Sequence, residues 1–157
     1  MPVSVLLVDD DEEFLAILAE RLIIRGMEVT TAPSGRAALD LVRLAWFSVI
    51  VLDLQMPGMD GLEVLEQLIA VNPAQQVILL TGHATVSKGV RAMKLGAADL
   101  LEKPVDIREL VQKINTVALA GQSGSAKGEA GQFPHPPPEG RKPGLWRMLR
   151  NLFSTEE

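Results

Sequence analysis

The chain has 157 residues, 47% of them apolar and 22% charged, so it can form one domain with a substantial core. It contains no cysteine, which excludes disulfides, thiolate metal sites and cysteine nucleophiles and fits a reducing compartment. Up to residue 120 there are 16 acidic and 10 basic residues, and this balance argues against nucleic-acid binding by the folded part. With no signal peptide pattern and no apolar run near the roughly 20 residues that span a bilayer, we expect a cytoplasmic protein.

Short apolar runs alternate with helical patterns along the chain. Most of the runs are rich in Val, Ile and Leu, which is typical of strands buried on both faces of a parallel sheet. In chain order, the five predicted strands are residues 4–8, 27–32, 48–52, 76–80 and 99–102. Amphipathic stripes predict a helix after each strand, and Gly26 and Gly96 are typical of the positions just beyond two helix ends. This alternation predicts an open α/β sheet, because parallel strands need crossover connections.

Polar side chains follow the predicted ends of four strands. They are Asp9 and Asp10 after the first strand, Asp53 after the third, Thr81 after the fourth and Lys103 after the fifth. Ligands of open α/β sheets bind at the carboxyl ends of the strands, near the point where the strand order reverses. If the order is 2-1-3-4-5, three carboxylates, a hydroxyl and an ammonium group meet in one crevice.

This set of groups suits phosphoryl transfer. Clustered carboxylates oppose one another's ionisation, but a hard dication such as Mg²⁺ can be shared among them. Asp53 could bind the metal with one oxygen and attack phosphorus with the other, while the metal and Lys103 neutralise charge on the phosphoryl group. Thr81 could then hydrogen-bond the new phosphate. The acids at 11–13 are instead interpreted as the cap and first turn of the first helix.

Each of these residues also has a plainer interpretation. Asp9, Asp10 and Asp53 could be ordinary capping or strand-end acids, Thr81 a turn residue and Lys103 a surface lysine. Their common position at the strand ends favours the functional interpretation.

Four motifs carry a resemblance to a known family. LLVDDD, VIVLDLQMPGMDGLEVL, VILLTGHA and GAADLLEKP resemble the receiver domain of two-component response regulators, of the chemotaxis-receiver kind, from about Ser4 to Ala120. The resemblance implies a flavodoxin-like fold, with a five-stranded parallel sheet in the order 2-1-3-4-5 flanked by five helices. It implies phosphorylation of one aspartate by a histidine kinase or phosphotransfer protein. It also implies a Mg²⁺ site formed by Asp9, Asp10, the phosphorylated Asp53 and the backbone carbonyl of Gln55.

The resemblance also concerns signal output. Thr81 matches the switch hydroxyl, and Lys103 matches a lysine whose bond to the following Pro104 is often cis. Leu100 stands where many members have an aromatic switch residue. Because Leu100 is smaller and cannot hydrogen-bond, we expect output to depend more on loop and helix-four movement than on a coupled rotation. His83, like Gln55, occupies a position that tunes phosphate lifetime in the family.

A linker and a short tail are predicted after the receiver domain at 1–120. Residues 121–143 are rich in Gly, Ser and Pro and cannot bury a core. Residues 144–157 predict a short amphipathic helix with a basic side. We expect its apolar side to contact a partner protein first, an anionic membrane surface second, or the receiver's own acidic face, the alternative being a disordered tail. The apolar side includes Met148 and the five residues expected to make the contact, which are Leu145, Trp146, Leu149, Leu152 and Phe153.

The leading functional prediction is a phosphorylation-driven switch without a recognisable output domain. Mg²⁺-dependent phosphorylation of Asp53 would change the face formed by helix four, strand five and helix five, and so control binding of an unknown downstream protein or formation of a homodimer. The protein would not be an enzyme, although it would assist its own phosphorylation and dephosphorylation. The first alternative is a phosphorylation-independent scaffold. A Mg²⁺-dependent phosphohydrolase is less favoured, because that class typically has a second acid where Gln55 stands, and no G-x-G-x-x-G supports dinucleotide binding.

Overall fold

The computed structural model describes residues 2–82 and 86–127, with the backbone alone for residue 86 and residues 122–127. Strands and helices alternate throughout this part of the chain. The strands are β1 (Ser4–Val8), β2 (Glu28–Ala32), β3 (Val49–Asp53), β4 (Gln76–Thr81) and β5 (Asp99–Glu102). The helices are α1 (Glu12–Ile24), α2 (Gly35–Leu44), α3 (Gly61–Val71), α4 (Val86–Leu95) and α5 (Ile107–Lys127).

The five strands form one parallel sheet in the order β2-β1-β3-β4-β5. Val5 of β1 is opposite Val29 of β2 on one side and Val49 of β3 on the other. The predicted fold class, strand order and five flanking helices are therefore confirmed. The order reverses between β1 and β3, so the carboxyl ends of these two strands lie side by side and create the crevice expected in such sheets.

Two apolar layers cover the two faces of the sheet. Since successive side chains of a strand point to opposite faces, Leu6 and Val8 join one layer while Val5 and Leu7 join the other. The first layer is completed by buried side chains of α2, α3 and α4, and the second by those of α1 and α5. The strands are buried on both faces, which explains their nearly continuous apolar sequences.

The first helix begins very close to the end of the first strand. The side chain of Asp11 caps α1 by accepting a hydrogen bond of 3.0 Å from the backbone N–H of Phe14. Glu12 and Glu13 occupy the first turn, where negative charge is favourable. The interpretation of residues 11–13 as a helix start is confirmed. At the other end, Gly26 has φ +86°, the left-handed conformation that commonly terminates helices.

Several element boundaries differ from the predicted ones. β2 begins one residue later than predicted, at Glu28, and β4 ends one residue later, at Thr81. β3 begins and ends one residue later than the apolar pattern indicates, so Asp53 is the last residue of the strand and pairs with Leu80. The helix α5 continues to Lys127, through the first seven residues of the segment predicted as linker. Helix elongation gains one hydrogen bond per residue, and the chain has no proline until Pro134 to interrupt it.

Residues 128–157 lie outside the described part of the chain. The remainder of the predicted linker and the whole predicted tail therefore stay predictions, as does the division of the chain into a receiver, a linker and a tail. Within the described ranges, none of the helices combines the length and the apolar character needed to cross a membrane.

Candidate functional site

Three carboxylates meet at the carboxyl edge of the sheet. Asp9 directly follows β1, Asp10 comes next, and Asp53 ends the adjacent strand β3. Oxygens of the three side chains all lie within 4.8 Å of one another. Asp9 and Asp53 are 2% and 3% exposed, whereas Asp10 is open to solvent. The structure thus brings together the three acids that the sequence placed at two strand ends.

Local backbone hydrogen bonds orient the two buried carboxylates. Oδ1 of Asp9 accepts a bond of 3.0 Å from the N–H of Asp11, and Oδ1 of Asp53 accepts one of 3.1 Å from the N–H of Gln55. In both cases the donor is two residues further along the chain, in the loop that leaves the strand. The second oxygen of each carboxylate, Oδ2, is turned toward Lys103.

Lys103 supplies the positive charge of the site. Its Nζ lies 2.8 Å from Oδ2 of Asp9 and 3.5 Å from Oδ2 of Asp53, so its shorter contact is with the first-strand acid. The backbone N–H of Lys103 donates to the carbonyl of Thr81 at 2.8 Å, and the following bond to Pro104 is cis. The end of β5 is therefore held against the end of β4, with the lysine side chain directed to the acids.

The ionisation of these groups reflects their burial and mutual charge. Burial raises the pKa of Asp53, and the charge of Asp9 acts in the same direction. The hydrogen bond from Gln55 and the ammonium of Lys103 oppose these effects but do not outweigh them. Burial by itself would lower the pKa of Lys103, yet its contacts with Asp9 and Asp53 raise the pKa above the ordinary lysine value. The site therefore favours the charged form of its lysine and disfavours the charged form of Asp53.

The residues present fit a Mg²⁺ ion. Three carboxylates face one ammonium group, so the cluster carries an excess of negative charge that a divalent cation would balance. All the converging ligand atoms are oxygens, which Mg²⁺ prefers, and the exposed Asp10 leaves room for the waters that Mg²⁺ retains.

Two further predicted residues lie at the same edge. Thr81 is the last residue of β4, is 1% exposed and pairs with Glu102 of β5. Gln55 lies in the loop after β3, and its side chain reaches the backbone of Gly82, where an added Cβ would stand 3.2 Å from its Oε1. The structure therefore brings Thr81 and Gln55 close to the strand ends that carry the acids. His83 lies outside the described residues.

Leu100 lies in the packing between β5 and α4. It pairs with Leu79 of β4 and is partly buried in the layer that α2, α3 and α4 cover. A Cβ added to Gly89 of α4 would stand 3.3 Å from its Cδ2, so the leucine fills the space beneath this glycine. On the same helix, Val90 and Met93 are about half exposed. The predicted switch position is thus a packing contact with α4.

One residue of the site was not recognised from the sequence. Phe14, which the helical pattern assigned to the apolar stripe of α1, presents its ring to Lys103, with Nζ 4.5 Å from the ring centroid. The available signal was its position, because an aromatic residue in the first turn of a helix that starts at the acid cluster lies near that cluster. The five tail residues predicted to make contacts also lie outside the described residues.

A parallel sheet in this order, with an acid cluster and a lysine at its carboxyl edge, defines the class of receiver domains. The family described as "Response regulator receiver domain" matches residues 5–115. The chain belongs to this family of signalling domains, which is not a family of enzymes.

Related sequences support the same assignment. The chain is 37% identical over 125 residues to response regulator protein FleR of Pseudomonas aeruginosa. The aligned region covers 80% of this chain and 26% of FleR. It is 39% identical over 136 residues to transcriptional regulatory protein FixJ of Azorhizobium caulinodans, covering 84% of this chain and 64% of FixJ. The chain thus spans about a quarter of the one relative and under two thirds of the other.

Solved structures agree as well. A CheY-like receiver domain protein from Methanospirillum hungatei has a TM-score of 0.76 and 28% identity, covering 79% of this chain and 99% of that one. A response regulator from Burkholderia pseudomallei, solved with a phosphorylated aspartic acid, calcium ion and citrate, has a TM-score of 0.69 and 31% identity. That match covers 79% of this chain and 73% of the other.

Proposed function

We propose that this chain is the phosphoacceptor of a two-component system and that Asp53 is the residue phosphorylated. The observation that carries the proposal is the convergence of three carboxylates within 4.8 Å of one another, with the Lys103 ammonium 3.5 Å from Asp53. The phosphodonor would be a histidine kinase or a phosphotransfer protein. The phosphorylated aspartic acid of the Burkholderia relative supports the chemistry by analogy.

The transfer step is a displacement at phosphorus. An Asp53 carboxylate oxygen forms a bond to the phosphorus of a phosphohistidine, the phosphorus–nitrogen bond breaks, and the histidine leaves with the electron pair and remains as neutral imidazole or takes up a proton. The product is an acyl phosphate. Dephosphorylation is the attack of water on the same phosphorus, which releases inorganic phosphate and restores the carboxylate. The domain would assist both steps without being a turnover enzyme.

Each residue of the site has a proposed task. Mg²⁺ would supply positive charge to the phosphoryl oxygens, and its ligands would be Asp9, Asp10, Asp53 and the backbone carbonyl of Gln55. Lys103 would turn from its carboxylate contacts to a phosphoryl oxygen and stabilise charge there. The hydroxyl of Thr81 would hydrogen-bond the bound phosphoryl group.

Phosphorylation would act as a switch through new charge. A phosphoryl group adds further negative charge and acceptor oxygens, which shifts an existing equilibrium between conformations. We propose that the face of α4, β5 and α5 reads out this shift, because Leu100 couples β5 to α4 at Gly89 and because Val90 and Met93 already expose apolar surface. A downstream protein or a second copy of the chain would bind there.

The remaining parts of the proposal concern the chain outside the described residues. The receiver would be followed by a linker and by the tail at 144–157, whose apolar side would contact a partner protein or, as a second candidate, an anionic membrane surface. A cytoplasmic location also remains part of the proposal, as does the lack of nucleic-acid binding by the receiver, which the acidic balance of residues 1–120 supports.

The intact mass of the protein tests the central proposal. The protein is incubated with acetyl phosphate or phosphoramidate, with Mg²⁺ or with EDTA, and the Asp53→Asn variant is treated in parallel. The expected result is a gain of one phosphoryl group that requires Mg²⁺ and is absent from the variant. Asp40→Asn is the matched control, because Asp40 is an exposed acid of α2 whose ion pair is with the exposed Arg43, at 3.6 Å.

Each outcome decides between the candidate functions. Phosphorylation that survives in Asp53→Asn would assign the phosphate to another residue and overturn the site. Continuous release of phosphate from an added phosphate ester would favour a phosphohydrolase. If neither small donors nor a panel of histidine kinases phosphorylate the wild type, while a known receiver reacts in the same buffer, the scaffold is the correct function.

A further inference from the structure

The Lys103 ammonium has an apolar neighbour in addition to its two carboxylates. Its Nζ lies 4.5 Å from the centroid of the Phe14 ring, within the range in which the ring's negative face attracts a cation. Its contacts with Asp9 and Asp53 are 2.8 and 3.5 Å. The lysine side chain is 26% exposed, so part of its surface could otherwise turn to water.

The Phe14 ring is held in place independently of the lysine. Asp11 caps α1 by accepting from the N–H of Phe14, which fixes the first turn of the helix beside the acid cluster. The side chain is partly buried and packs against the layer that α1 and α5 form on the sheet. The ring is therefore a pre-formed surface that requires little reorganisation to bind the ammonium.

We propose that Phe14 is a positioning residue for phosphorylation, whose ring holds the Lys103 ammonium at the acid cluster. This inference rests on the proposed function, since it assigns a cause to the placement of a group in that reaction. Without the ring, Nζ would spend part of its time in solvent, and the maximal rate of phosphorylation would fall in proportion.

The ring matters most in the form of the site that reacts. The shortest contact of Lys103 is with Asp9, which is also one of the proposed Mg²⁺ ligands. A carboxylate that shares its charge with a dication attracts an ammonium less strongly. The attraction of the ring does not depend on the carboxylates, so Phe14 would keep Lys103 near Asp53 when its pairing with Asp9 weakens.

Two substitutions distinguish the proposed positioning role of Phe14 from a role in packing alone. Phe14→Leu keeps an apolar side chain against the core but has no aromatic face. Phe14→Tyr keeps the face. Phe47→Leu is the matched control, because Phe47 is a buried phenylalanine that precedes β3, at the opposite end of that strand from Asp53.

The first measurement is the NMR chemical shift of the Lys103 ε-methylene protons in the full chain without metal. Protons above a ring face are shielded, so we expect upfield shifts in the wild type, Phe14→Tyr and Phe47→Leu, and ordinary lysine values in Phe14→Leu. This measurement does not depend on phosphorylation. Ordinary values in the wild type would overturn the proposal.

The second measurement is the phosphorylation rate against phosphodonor concentration at saturating Mg²⁺. In Phe14→Leu the maximal rate should fall roughly two- to fivefold, as expected for loss of one partly exposed cation–π contact. The half-saturating donor concentration and the Mg²⁺ affinity should stay unchanged, and Phe14→Tyr should recover the rate. An unchanged maximal rate in Phe14→Leu, or an equal loss in Phe14→Tyr, would overturn the proposal.

The two measurements also separate failure of this inference from failure of the proposed function. If the wild type accepts no phosphoryl group from any donor, the proposed function fails and the positioning role fails with it, even where the lysine protons are shielded. If the wild type is phosphorylated normally and Phe14→Leu behaves like it, only the positioning role fails.

Discussion

The two apolar faces of the sheet and its carboxyl edge are built in opposite ways. Each face is covered by helices whose apolar side chains that pack on the sheet are nearly inaccessible, such as Leu65 on one side and Leu22 on the other, both 0% exposed. The edge instead gathers three carboxylates around one lysine, and burial there raises the pKa of Asp53. Apolar burial stabilises the fold, whereas burying like charges opposes it. The comparison teaches that apolar burial on the two faces of the sheet offsets the free-energy cost of burying like charges at its carboxyl edge.

The largest expected effect on stability comes from truncating a buried side chain in one of the two apolar layers. Leu65→Ala should lower the free energy of unfolding by about 2–5 kcal/mol, because it removes a fully buried side chain of α3 and leaves a cavity. Mg²⁺ affinity, measured on the folded protein, should not change, because Leu65 packs within the layer under α3. Urea unfolding followed by circular dichroism gives the first value, and a Mg²⁺ titration gives the second.

The control for this variant is Leu119→Ala, on the exposed side of α5. Leu119 is 63% exposed, so its truncation should change the free energy of unfolding by less than about 0.5 kcal/mol. Equal losses in the two variants would contradict the view that the covered faces carry the stability.

The next effect is an increase in stability, and it comes from removing one of the buried charges at the carboxyl edge of the sheet. In EDTA at neutral pH, Asp53→Asn should raise the free energy of unfolding by about 0.5–2 kcal/mol, because the buried charge is removed while the shape is kept. The direction follows from the raised pKa of Asp53, which means that the fold disfavours its ionised form. Denaturant unfolding of both proteins in the same metal-free buffer measures the difference.

Mg²⁺ should reverse this order of stability. An ion bound only to the folded wild type adds about 2.7 kcal/mol at a hundredfold excess over its dissociation constant, and Asp53→Asn should gain less. NaCl at equal ionic strength controls for screening. If Asp53→Asn were less stable than the wild type in EDTA, the inference that the buried charge of Asp53 lowers the free energy of unfolding would be wrong.

The smallest expected effect concerns an ion pair on the surface between β5 and α5. Nζ of Lys113 lies 2.7 Å from Oδ2 of Asp99, and both side chains are about one-third exposed. Lys113→Met should lower the free energy of unfolding by about 0.2–1 kcal/mol at low salt and by less at high salt. Thermal unfolding at two salt concentrations tests this, with Lys94→Met, on the exposed end of α4, as the control.

The pH dependence of this pair has a definite sign. The hydrogen bond to Asp99 raises the pKa of Lys113 above its ordinary value, so the folded state binds the proton more tightly than the unfolded state. The contribution of the pair is therefore complete below the unfolded pKa, near 10.4, and is lost as the pH rises through the folded pKa. A difference between wild type and Lys113→Met that grows above pH 10 would contradict this origin.

Much of the fold could be predicted because its signals are local. The apolar runs at 4–8 and 76–80 lie within strands buried on both faces, and after Ser4 and Gln76 at their starts these runs are continuously apolar, so the pattern is clear. The end of α5 was predicted less well. Its last seven residues are rich in Gly and Ser, which composition associates with a linker, yet the helix extends through them to Lys127. Composition indicates how readily an isolated segment forms a helix. A segment that extends an existing helix avoids the cost of nucleation and gains one hydrogen bond per residue.

The sequence by itself determined the order of the elements and the positions of the acids and the lysine at strand ends, because both depend on neighbours along the chain. Only the tertiary structure decided which groups touch. Lys103 makes its shortest ion pair with Asp9, which is 94 residues away in the sequence, and its ammonium also contacts the ring of Phe14. Leu100, at the predicted switch position, fills the space beneath Gly89 of α4. Such contacts depend on how the helices pack over the sheet, and local sequence patterns carry no distance between residues so far apart.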